Sequence, residues 1–490
     1  MNPQATATGV RQLGHFVGGR WIESHSRQSQ DVVNPATGEV LARVALGDTD
    51  DVARAVAAAR AAFPAWRATP PAMRVQPLFK LKQLLEEHFD DLARTVTREH
   101  GKTVDESRGS LRRGVDNVER ACGIPSLLMG EALEDVGRDV DCEAVRQPLG
   151  VYAAICPFNF PAMVPLWFLP YAIACGNTFV LKPSEQVPLS AALLVDLIHQ
   201  AGIPDGVVNL VNGGRDSVDA ILDHPDIVGV SFVGSSPVAQ YVYRRAAERG
   251  KRVQSLGGAK NFVVVMPDAN MEQAAEAVAE SAYGNAGERC LAGSVVLAVG
   301  SAGDVLRERL AARARSYRIG DGMDPKTEMG PVISRPHRDK VVGYIDQGVK
   351  AGAEIVVDGR PVAAQMPQGN FLGATLFDRV EPQMTIAQEE IFGPVLCIIR
   401  VPDLDTALAT MQAHPLANAT SIFTTNGKHA RQFRYHAPAS MIGVNIGVAA
   451  PMAFFPFGGS KGSFFGDMKA HGTDAIGFYT DKKVVISRWV

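Results

Sequence analysis

A cysteine and an arginine stand side by side in a run of small residues, where they could perform nucleophilic chemistry. Cys290 follows Arg289 at the end of segment 283–290, which reads YGNAGERC. A neighbouring cation favours the thiolate, the reactive form of cysteine, and glycines let the backbone pass close to a substrate. The alternative is that Cys290 is a structural residue, because free cysteine is often buried. The rest of the chain must decide between the two interpretations.

The composition indicates a globular protein with more than one domain. The chain has 490 residues, of which 46% are hydrophobic and 21% charged, and its formal net charge is −3. A chain of this length is too long to form a single hydrophobic core. Its weakly acidic balance gives no support to nucleic-acid binding, so small molecules are the expected partners.

The cysteines and the apolar runs indicate the cellular compartment of the protein. The six cysteines are scattered, form no Cys-x-x-Cys pair and have no histidine at metal-ligand spacing, which predicts no metal site and a reduced, cytoplasmic protein. No apolar run is long enough to span a bilayer. The first 21 residues lack a secretory signal and are interpreted as a leading arm. We therefore expect no membrane partner.

Polar residues follow several apolar runs that are spaced like the strands of a parallel sheet. The runs cover residues 151–155, 178–181, 207–211 and 228–233, with helical segments between them. This alternation is typical of a doubly wound α/β domain, in which ligands bind beyond the carboxyl ends of the strands. Asn159, the pair Lys182 and Glu185, and Ser235 follow three of the runs. They predict a nucleotide site, although no Gly-x-Gly-x-x-Gly turn follows these strands.

A second α/β series positions Cys290. Apolar runs at 262–265, 294–299, 422–423 and 441–445 belong to it, and a helix is predicted over 271–283. Cys290 lies between that helix and the next strand, in a loop that could face the first domain across a cleft. This position favours the catalytic interpretation.

Helices and a polar excursion complete the chain. Helices are predicted in 51–67, 72–99 and 103–123. The last carries Arg112 and Arg113, one of which could face a ligand; the alternative is that both belong to a solvated basic face. Segment 131–147 alternates and predicts an exposed two-stranded excursion that could pair with another subunit, and the tail 478–490 predicts an added strand.

Five ordered motifs resemble the NAD(P)-dependent aldehyde dehydrogenase superfamily: PFNFP at 157–161, KPSE at 182–185, FVGS at 232–235, GERC at 287–290 and EIFGP at 390–394. The resemblance implies an α/β fold with a Rossmann-type NAD-binding domain (1–130 and 149–258) and an α/β catalytic domain (259–470). It also implies a small β oligomerisation domain (131–148 and 471–490) and a homodimer or homotetramer.

The resemblance assigns roles to single residues. Cys290 is the nucleophile, and the Asn159 side chain with the Cys290 backbone amide forms the oxyanion hole. NAD is the implied cofactor, and the residues that would contact it are Cys156, Phe158, Lys182, Glu185, Gln186, Ser235, Gly257 and Glu390. Ala239 stands where many members have a second glycine, which leaves the placement of the pyrophosphate open.

The largest departure from the superfamily pattern concerns the general base. The usual Glu-Leu-Gly-Gly-Lys is represented by Ser255-Leu256-Gly257-Gly258-Ala259-Lys260, so Leu256 occupies the position of the glutamate. Without a base to activate water, hydrolysis of the acyl-enzyme should be slow. A thiol co-substrate such as coenzyme A is therefore expected to release the product.

Leu256, GERC, the run from Arg113 to Glu119 and the run from Ala453 to Phe457 together resemble the methylmalonate-semialdehyde dehydrogenase branch, which is CoA-acylating. In that branch two arginines bind the substrate carboxylate, and the matching positions are Arg113 and Arg289. Arginine suits this role because its planar group binds a carboxylate at two points. The expected products are propionyl-CoA from methylmalonate semialdehyde or acetyl-CoA from malonate semialdehyde, with loss of carbon dioxide.

Two alternatives stay open at this point. One is a hydrolytic NAD-dependent semialdehyde dehydrogenase that uses another base. The other is a non-catalytic protein that keeps the fold, because fold alone does not give function. The preference between the two semialdehydes, the number of subunits, the CoA site and the pathway are also open.

Overall fold

The structure, a computed structural model, describes residues 10–490; the first nine residues of the predicted leading arm lie outside the described residues. The strands are β1 (Arg11–Leu13), β2 (His15–Val17), β3 (Arg20–Ile22), β4 (Ser29–Val33), β5 (Val40–Ala45), β6 (Glu131–Gly137), β7 (Val140–Pro148), β8 (Val151–Ile155), β9 (Thr178–Lys182), β10 (Val208–Leu210), β11 (Ile227–Val233), β12 (Arg252–Leu256), β13 (Asn261–Val265), β14 (Gly293–Val299), β15 (Glu354–Val357), β16 (Thr375–Asp378), β17 (Val395–Val401), β18 (Leu416–Ala417), β19 (Ala419–Phe423), β20 (Met441–Val444), β21 (Ser460–Lys461), β22 (Phe464–Phe465) and β23 (Thr480–Arg488).

The helices are α1 (Thr49–Ala68), α2 (Pro71–Arg74), α3 (Gln76–Glu87), α4 (Phe89–His100), α5 (Val104–Cys122), α6 (Ile124–Leu127), α7 (Pro165–Ala174), α8 (Pro188–Gln200), α9 (Arg215–Asp223), α10 (Ser236–Glu248), α11 (Met271–Tyr283), α12 (Ala302–Ser316), α13 (Arg335–Lys350), α14 (Pro361–Gln365), α15 (Thr385–Gln388), α16 (Leu404–Ala413), α17 (Gly427–His436) and α18 (Gly472–Tyr479). A 3₁₀ turn covers Gly284–Gly287.

The first large sheet contains the predicted nucleotide-binding strands. Its order is β22-β12-β11-β8-β9-β10-β2-β3, and the run from β12 to β10 is parallel. The β-branched and apolar residues of β8 and β9 are wholly buried because helices cover both faces of the sheet. Strand β22 pairs antiparallel with β12, so a short piece of the later chain completes this sheet.

The second large sheet has the order β15-β16-β17-β14-β13-β19-β20 and is parallel except for β15. The predicted strands at 262–265, 294–299, 422–423 and 441–445 all belong to it, and helix α11 matches the predicted range. Sequence analysis missed the inner strands β16 and β17. Helix α11 and strand β14 flank Cys290, as predicted.

A small antiparallel sheet of order β23-β7-β6 combines the polar excursion with the tail. It leaves large apolar side chains exposed, among them Leu133, Val484, Ile486 and Trp489. Helix α18, in contrast, is buried beside α7 and contributes Ile476, Phe478 and Tyr479 to the largest apolar core. The excursion and the tail strand are therefore confirmed as one sheet.

Local signals define the helices around the site. Helix α5 begins with a capping box, in which Thr103 and Glu106 satisfy each other's backbone N–H groups. The helical region predicted over 72–99 is divided into α2, α3 and α4.

In residues 10–490, no helix is both long and apolar enough to cross a membrane.

Candidate active site

The carboxyl ends of four neighbouring parallel strands gather the predicted cofactor residues. Ile155 of β8 is level with Lys182 of β9 and with Phe232 of β11, and Val233 is level with Leu256 of β12. The residues that follow these positions therefore emerge at one edge of the sheet. They are Cys156, Phe158 and Asn159 after β8, Glu185 and Gln186 after β9, Ser235 after β11 and Gly257 after β12.

The Lys182 and Glu185 side chains form an ion pair at this edge. Lys182 Nζ lies 3.1 Å from Glu185 Oε2, and the Lys182 side chain is only 5% exposed, whereas that of Glu185 is 29% exposed. Gln186 is half-buried next to them, and Cys156 donates its backbone N–H to the Lys182 carbonyl. The pair is therefore preorganised to bind hydroxyl groups of a ligand.

Helix α10 begins at the same edge with exposed polar groups. Ser235 is the N-cap residue, is exposed, and makes no side-chain capping bond. Ser236 donates its hydroxyl to the Gly462 carbonyl at 2.9 Å, and a Cβ added to Gly257 would lie 3.0 Å from Ser236 Oγ. The first turn lacks one N–H because residue 237 is proline, and its remaining N–H groups can bind an anion such as a diphosphate.

Glu390 approaches the sheet edge from the second domain. Its Oε1 accepts the Ala259 N–H at 2.9 Å, and a Cβ on Gly258 would lie 2.2 Å from its Oε2. Only glycine at position 258 permits this approach. Burial raises the pKa of Glu390 to about 7.

The loop that carries Cys290 has an unusual backbone. Asn285, Ala286 and Gly287 have φ angles of 58°, 50° and 74°, so three consecutive residues are left-handed. A Cβ on Gly287 would lie 2.0 Å from the Gly393 carbonyl oxygen, which explains why the motifs GERC and EIFGP can pack together. Left-handed conformations at Asn285 and Ala286 cost about 1–3 kcal/mol each, and such strain clusters at functional sites.

Cys290 is half-buried, unlike Cys156, which is 5% exposed. Burial and the Glu390 carboxylate raise the pKa of the Cys290 thiol to about 12, although Arg289 lowers it. Arg289 favours the thiolate, as expected from the sequence, but burial has the larger, opposite effect on the pKa in the protein without ligands. The thiol form prevails near neutral pH.

Asn159 lies beside the cysteine loop. Its Nδ2 donates to the Glu288 carbonyl at 3.0 Å, and the residue is 4% exposed. This bond uses one of the two amide hydrogens and orients the other. The side chain can therefore contribute one donor to an oxyanion.

Leu256 ends β12 where the sequence comparison expected a base. It is 4% exposed and belongs to the same buried apolar cluster as Leu291. Cys290 packs against this cluster. An apolar side chain in this position cannot accept a proton from water.

The two predicted carboxylate-binding arginines come from different elements. Arg113 is exposed on α5, and Arg289 is half-buried with its guanidinium against Gly284. Within residues 10–490, neither side chain has a salt bridge or a hydrogen bond. Both therefore remain available to a carboxylate.

Three buried ionisable residues behind the loop, Glu288, His100 and Lys102, and the half-buried His337 were missed by sequence analysis. Glu288 is fully buried; its Oε1 accepts the Ile333 N–H at 3.1 Å and lies 3.4 Å from His337 Nε2, while its Oε2 lies 3.7 Å from His100 Nε2. Burial raises the pKa of Glu288 and lowers that of His100. Lys102 donates to the Asn159 carbonyl. In the sequence, the polar run Glu99-His100-Gly101-Lys102-Thr103 is the feature that could have drawn attention to His100 and Lys102.

The model of the aldehyde dehydrogenase family matches residues 21–485. The chain belongs to this family. An aldehyde dehydrogenase assignment also agrees with the α/β architecture and with the order of the five motifs.

Individual members of the aldehyde dehydrogenase family are similar over the full length. Malonate-semialdehyde dehydrogenase 1 of Geobacillus thermodenitrificans is 51% identical over 482 residues, covering 98% of this chain and 100% of the relative. A crystal structure of methylmalonate-semialdehyde dehydrogenase from Oceanimonas doudoroffii has a TM-score of 0.96 at 47% identity, with 98% of each chain covered. A Sinorhizobium meliloti structure classed as methylmalonate-semialdehyde dehydrogenase and complexed with NAD has a TM-score of 0.97 at 45% identity, again with 98% of each chain covered.

Proposed function

We propose that this aldehyde dehydrogenase performs NAD-dependent, CoA-acylating oxidation of malonate semialdehyde, methylmalonate semialdehyde or both. The observation that carries the proposal is Leu256, an apolar residue packed in the same cluster as Cys290 where a general base is expected. Relatives named for both semialdehydes support the substrate class.

The residues at the sheet edge fit NAD. Lys182 and Glu185 would bind a ribose, Ser235 and the start of α10 the diphosphate, and Glu390 the second ribose. Cys156, Phe158, Gln186 and Gly257 would line the same groove. Gly258 keeps space open beside Glu390, because a side chain there would collide with the carboxylate. NAD, when bound, supplies the hydride acceptor.

Acylation begins when Cys290 Sγ adds to the aldehyde carbon. The oxygen becomes an oxyanion, which the free Nδ2–H of Asn159 and the backbone N–H of Cys290 would stabilise. Loss of hydride from the same carbon leaves a thioester on Cys290. Because the thiol prevails in the protein without ligands, Cys290 must lose its proton before or during the addition.

Release then requires a nucleophile stronger than unactivated water. The thiolate of coenzyme A would add to the thioester carbon, and the Cys290 thiolate would leave. Glu390 is the carboxylate whose charge acts on Cys290, and its Oε1 accepts the Ala259 N–H. The hydrolytic alternative would have to use another carboxylate such as Glu390 in place of Leu256 as the base.

Arg113 and Arg289 would bind the substrate carboxylate. Both are unpaired cations in the described part of the chain. After thioester formation, the carbon–carboxylate bond can break to give carbon dioxide, since the adjacent carbonyl accepts the electron pair. One methyl group in an apolar pocket is worth only about 1–3 kcal/mol, so the preference between the two semialdehydes must be measured.

Side-by-side steady-state kinetics on the two semialdehydes, with and without coenzyme A, test the proposal. NADH formation should depend on coenzyme A, and mass spectrometry should identify acetyl-CoA or propionyl-CoA as the product. Equal multiple-turnover rates without coenzyme A, with a free acid as product, would support the hydrolytic alternative instead.

We also propose a homodimer or homotetramer in the cytoplasm. The small sheet of β6, β7 and β23 exposes Leu133, Val484 and Ile486, and Trp489 just after β23 is also exposed; exposed apolar groups of this kind are typical of surfaces covered by a partner subunit. The proposed divisions at 130/131, 148/149 and 470/471 separate this part from the other two domains, and the division at 258/259 separates the NAD-binding domain from the catalytic domain. Light scattering on the purified protein, with Val484→Lys as the interface variant, would measure the number of subunits.

A further inference from the structure

Lys102 connects the start of α5 to the oxyanion residue. Its side chain is buried, with 1% exposure of the residue, and its Nζ donates to the backbone carbonyl of Asn159 at 2.5 Å. The same ammonium lies 4.1 Å from the ring centre of Phe160. Burial lowers the pKa of Lys102 to about 7. A lysine is rarely buried so fully, and the roles assigned above to cofactor, nucleophile and substrate residues do not account for it.

Glu106 connects the same helix start to the cysteine loop. Its Oε2 accepts the Thr103 N–H at 3.0 Å and the Thr103 hydroxyl at 3.2 Å, and its own N–H donates to Thr103 Oγ1 at 3.2 Å, which completes the capping box. Its Oε1 accepts the Asn285 N–H at 2.5 Å. One carboxylate therefore holds both the helix terminus and the first left-handed residue of the loop.

The two connections meet at the Glu288 carbonyl. That oxygen accepts from Asn285 Nδ2 at 2.6 Å and from Asn159 Nδ2 at 3.0 Å. A continuous path thus runs from Lys102 through Asn159, Glu288 and Asn285 to Glu106, and the capping box at Thr103 returns it to Lys102 along the backbone. Asn159 is held at its backbone carbonyl and at its side-chain amide.

We propose that Lys102 and Glu106 are positioning residues that set the Asn159 amide and the Cys290 backbone N–H relative to each other. The strained loop of Asn285 and Ala286 requires surroundings that determine its conformation, and Glu106 supplies one such contact. Lys102 holds the backbone of Asn159, which carries the other oxyanion donor. The proposal rests on the proposed function only in requiring aldehyde addition at Cys290.

Lys102→Met and Lys102→Arg test the first connection, with propanal as a substrate that carries no carboxylate. Single-turnover NADH formation should slow about 10- to 100-fold in Lys102→Met, because a displaced donor recovers only part of its oxyanion stabilisation. Lys102→Arg should restore part of the rate. NAD affinity and melting temperature should stay near wild-type values.

Alkylation of Cys290 by iodoacetamide distinguishes a positioning role of Lys102 from general damage to the cysteine loop. The alkylation forms no oxyanion, so its rate in Lys102→Met should stay within about twofold of wild type while aldehyde oxidation falls. A parallel loss of both rates would overturn the proposal, and so would an unchanged rate of aldehyde oxidation.

Glu106→Gln keeps the experiment decisive if Lys102→Met does not fold. The amide has one acceptor oxygen in place of two, so it cannot retain both the cap and the Asn285 contact. Asp105→Asn is the matched control, because the exposed Asp105 side chain in the same turn contacts Arg108 and not the loop. Glu106→Gln should slow aldehyde oxidation and Asp105→Asn should not; equal rates in both would overturn the role of Glu106. Absence of NADH formation by the wild type would contradict the proposed function instead.

Discussion

The cofactor edge of the first sheet and the cysteine loop are constructed in opposite ways. At the edge, parallel strands end level with one another and place Lys182 at the end of β9, Glu185 in the turn that follows it and Ser235 at the start of α10. The loop is left-handed at consecutive residues and is held by buried contacts from α5. Regular elements position a binding site, whereas the reaction centre depends on contacts between segments that are distant in sequence.

This contrast separates cofactor binding from chemistry. Residues at the edge should change affinity for NAD with little effect on turnover, and residues at the loop should do the reverse. Arg113 lies in neither region and should affect only the choice of substrate. A variant that changed both the affinity for NAD and the turnover would argue against this separation.

The largest effect is expected from Cys290→Ala. Removing the nucleophile should lower aldehyde oxidation by about 10⁴-fold or more. NAD binding, measured by calorimetry, should persist because the sheet edge is intact. Cys142→Ala, on β7 of the small sheet, is the control and should remain active. Residual turnover near the wild-type rate would show that another cysteine is the nucleophile.

The reactivity of Cys290 should rise steeply with pH in the protein without ligands. Its pKa is raised to about 12, so below that pH the thiolate fraction increases tenfold with each pH unit. The rate of inactivation by iodoacetamide should therefore rise about 100-fold from pH 7 to pH 9. A plateau close to pH 7 would mean that Arg289 outweighs burial and keeps Cys290 as a thiolate.

Removal of Arg113 should discriminate between substrates. Arg113→Ala should lower kcat/KM about 10- to 100-fold for malonate semialdehyde, because hydrogen bonds to a charged group are lost, and should have little effect on propanal. Arg112→Ala is the matched control, since Arg112 already pairs with Glu86. Equal losses on both aldehydes would assign Arg113 to folding.

The smallest effect concerns the cofactor edge. Lys182→Ala should raise the KM for NAD about tenfold while kcat changes little, since the proposed charge-assisted contact to the ribose would be lost. Lys80→Ala, on the surface of α3, serves as its control. A fall in kcat comparable with that of a loop variant would contradict the separation of the two regions.

The same contrast explains which features could be predicted from the sequence. Apolar runs such as Val151–Ile155 and the polar residues after them are local patterns, so the sheet edge could be predicted. Strands β16 and β17 were missed because their segments were not recognised as parts of the alternating series. The contacts of Lys102 and Glu106 join residues 57 and 179 positions apart, and no local pattern reveals such pairs.

The raised pKa of Cys290 could not be predicted either. An adjacent arginine is visible in the sequence, but burial and the approach of Glu390 follow from tertiary packing. Leu256 shows the opposite case, because a missing carboxylate is visible directly once the register of its motif is known.

The central claim is that acyl-enzyme release depends on coenzyme A because Leu256 cannot act as a base. Rapid mixing of the enzyme with NAD and malonate semialdehyde, followed by NADH absorbance, tests it most directly. Without coenzyme A, we predict a burst of one NADH per active site and then a slow phase, and addition of coenzyme A should restore rapid turnover. Fast, sustained NADH formation without coenzyme A would contradict the account.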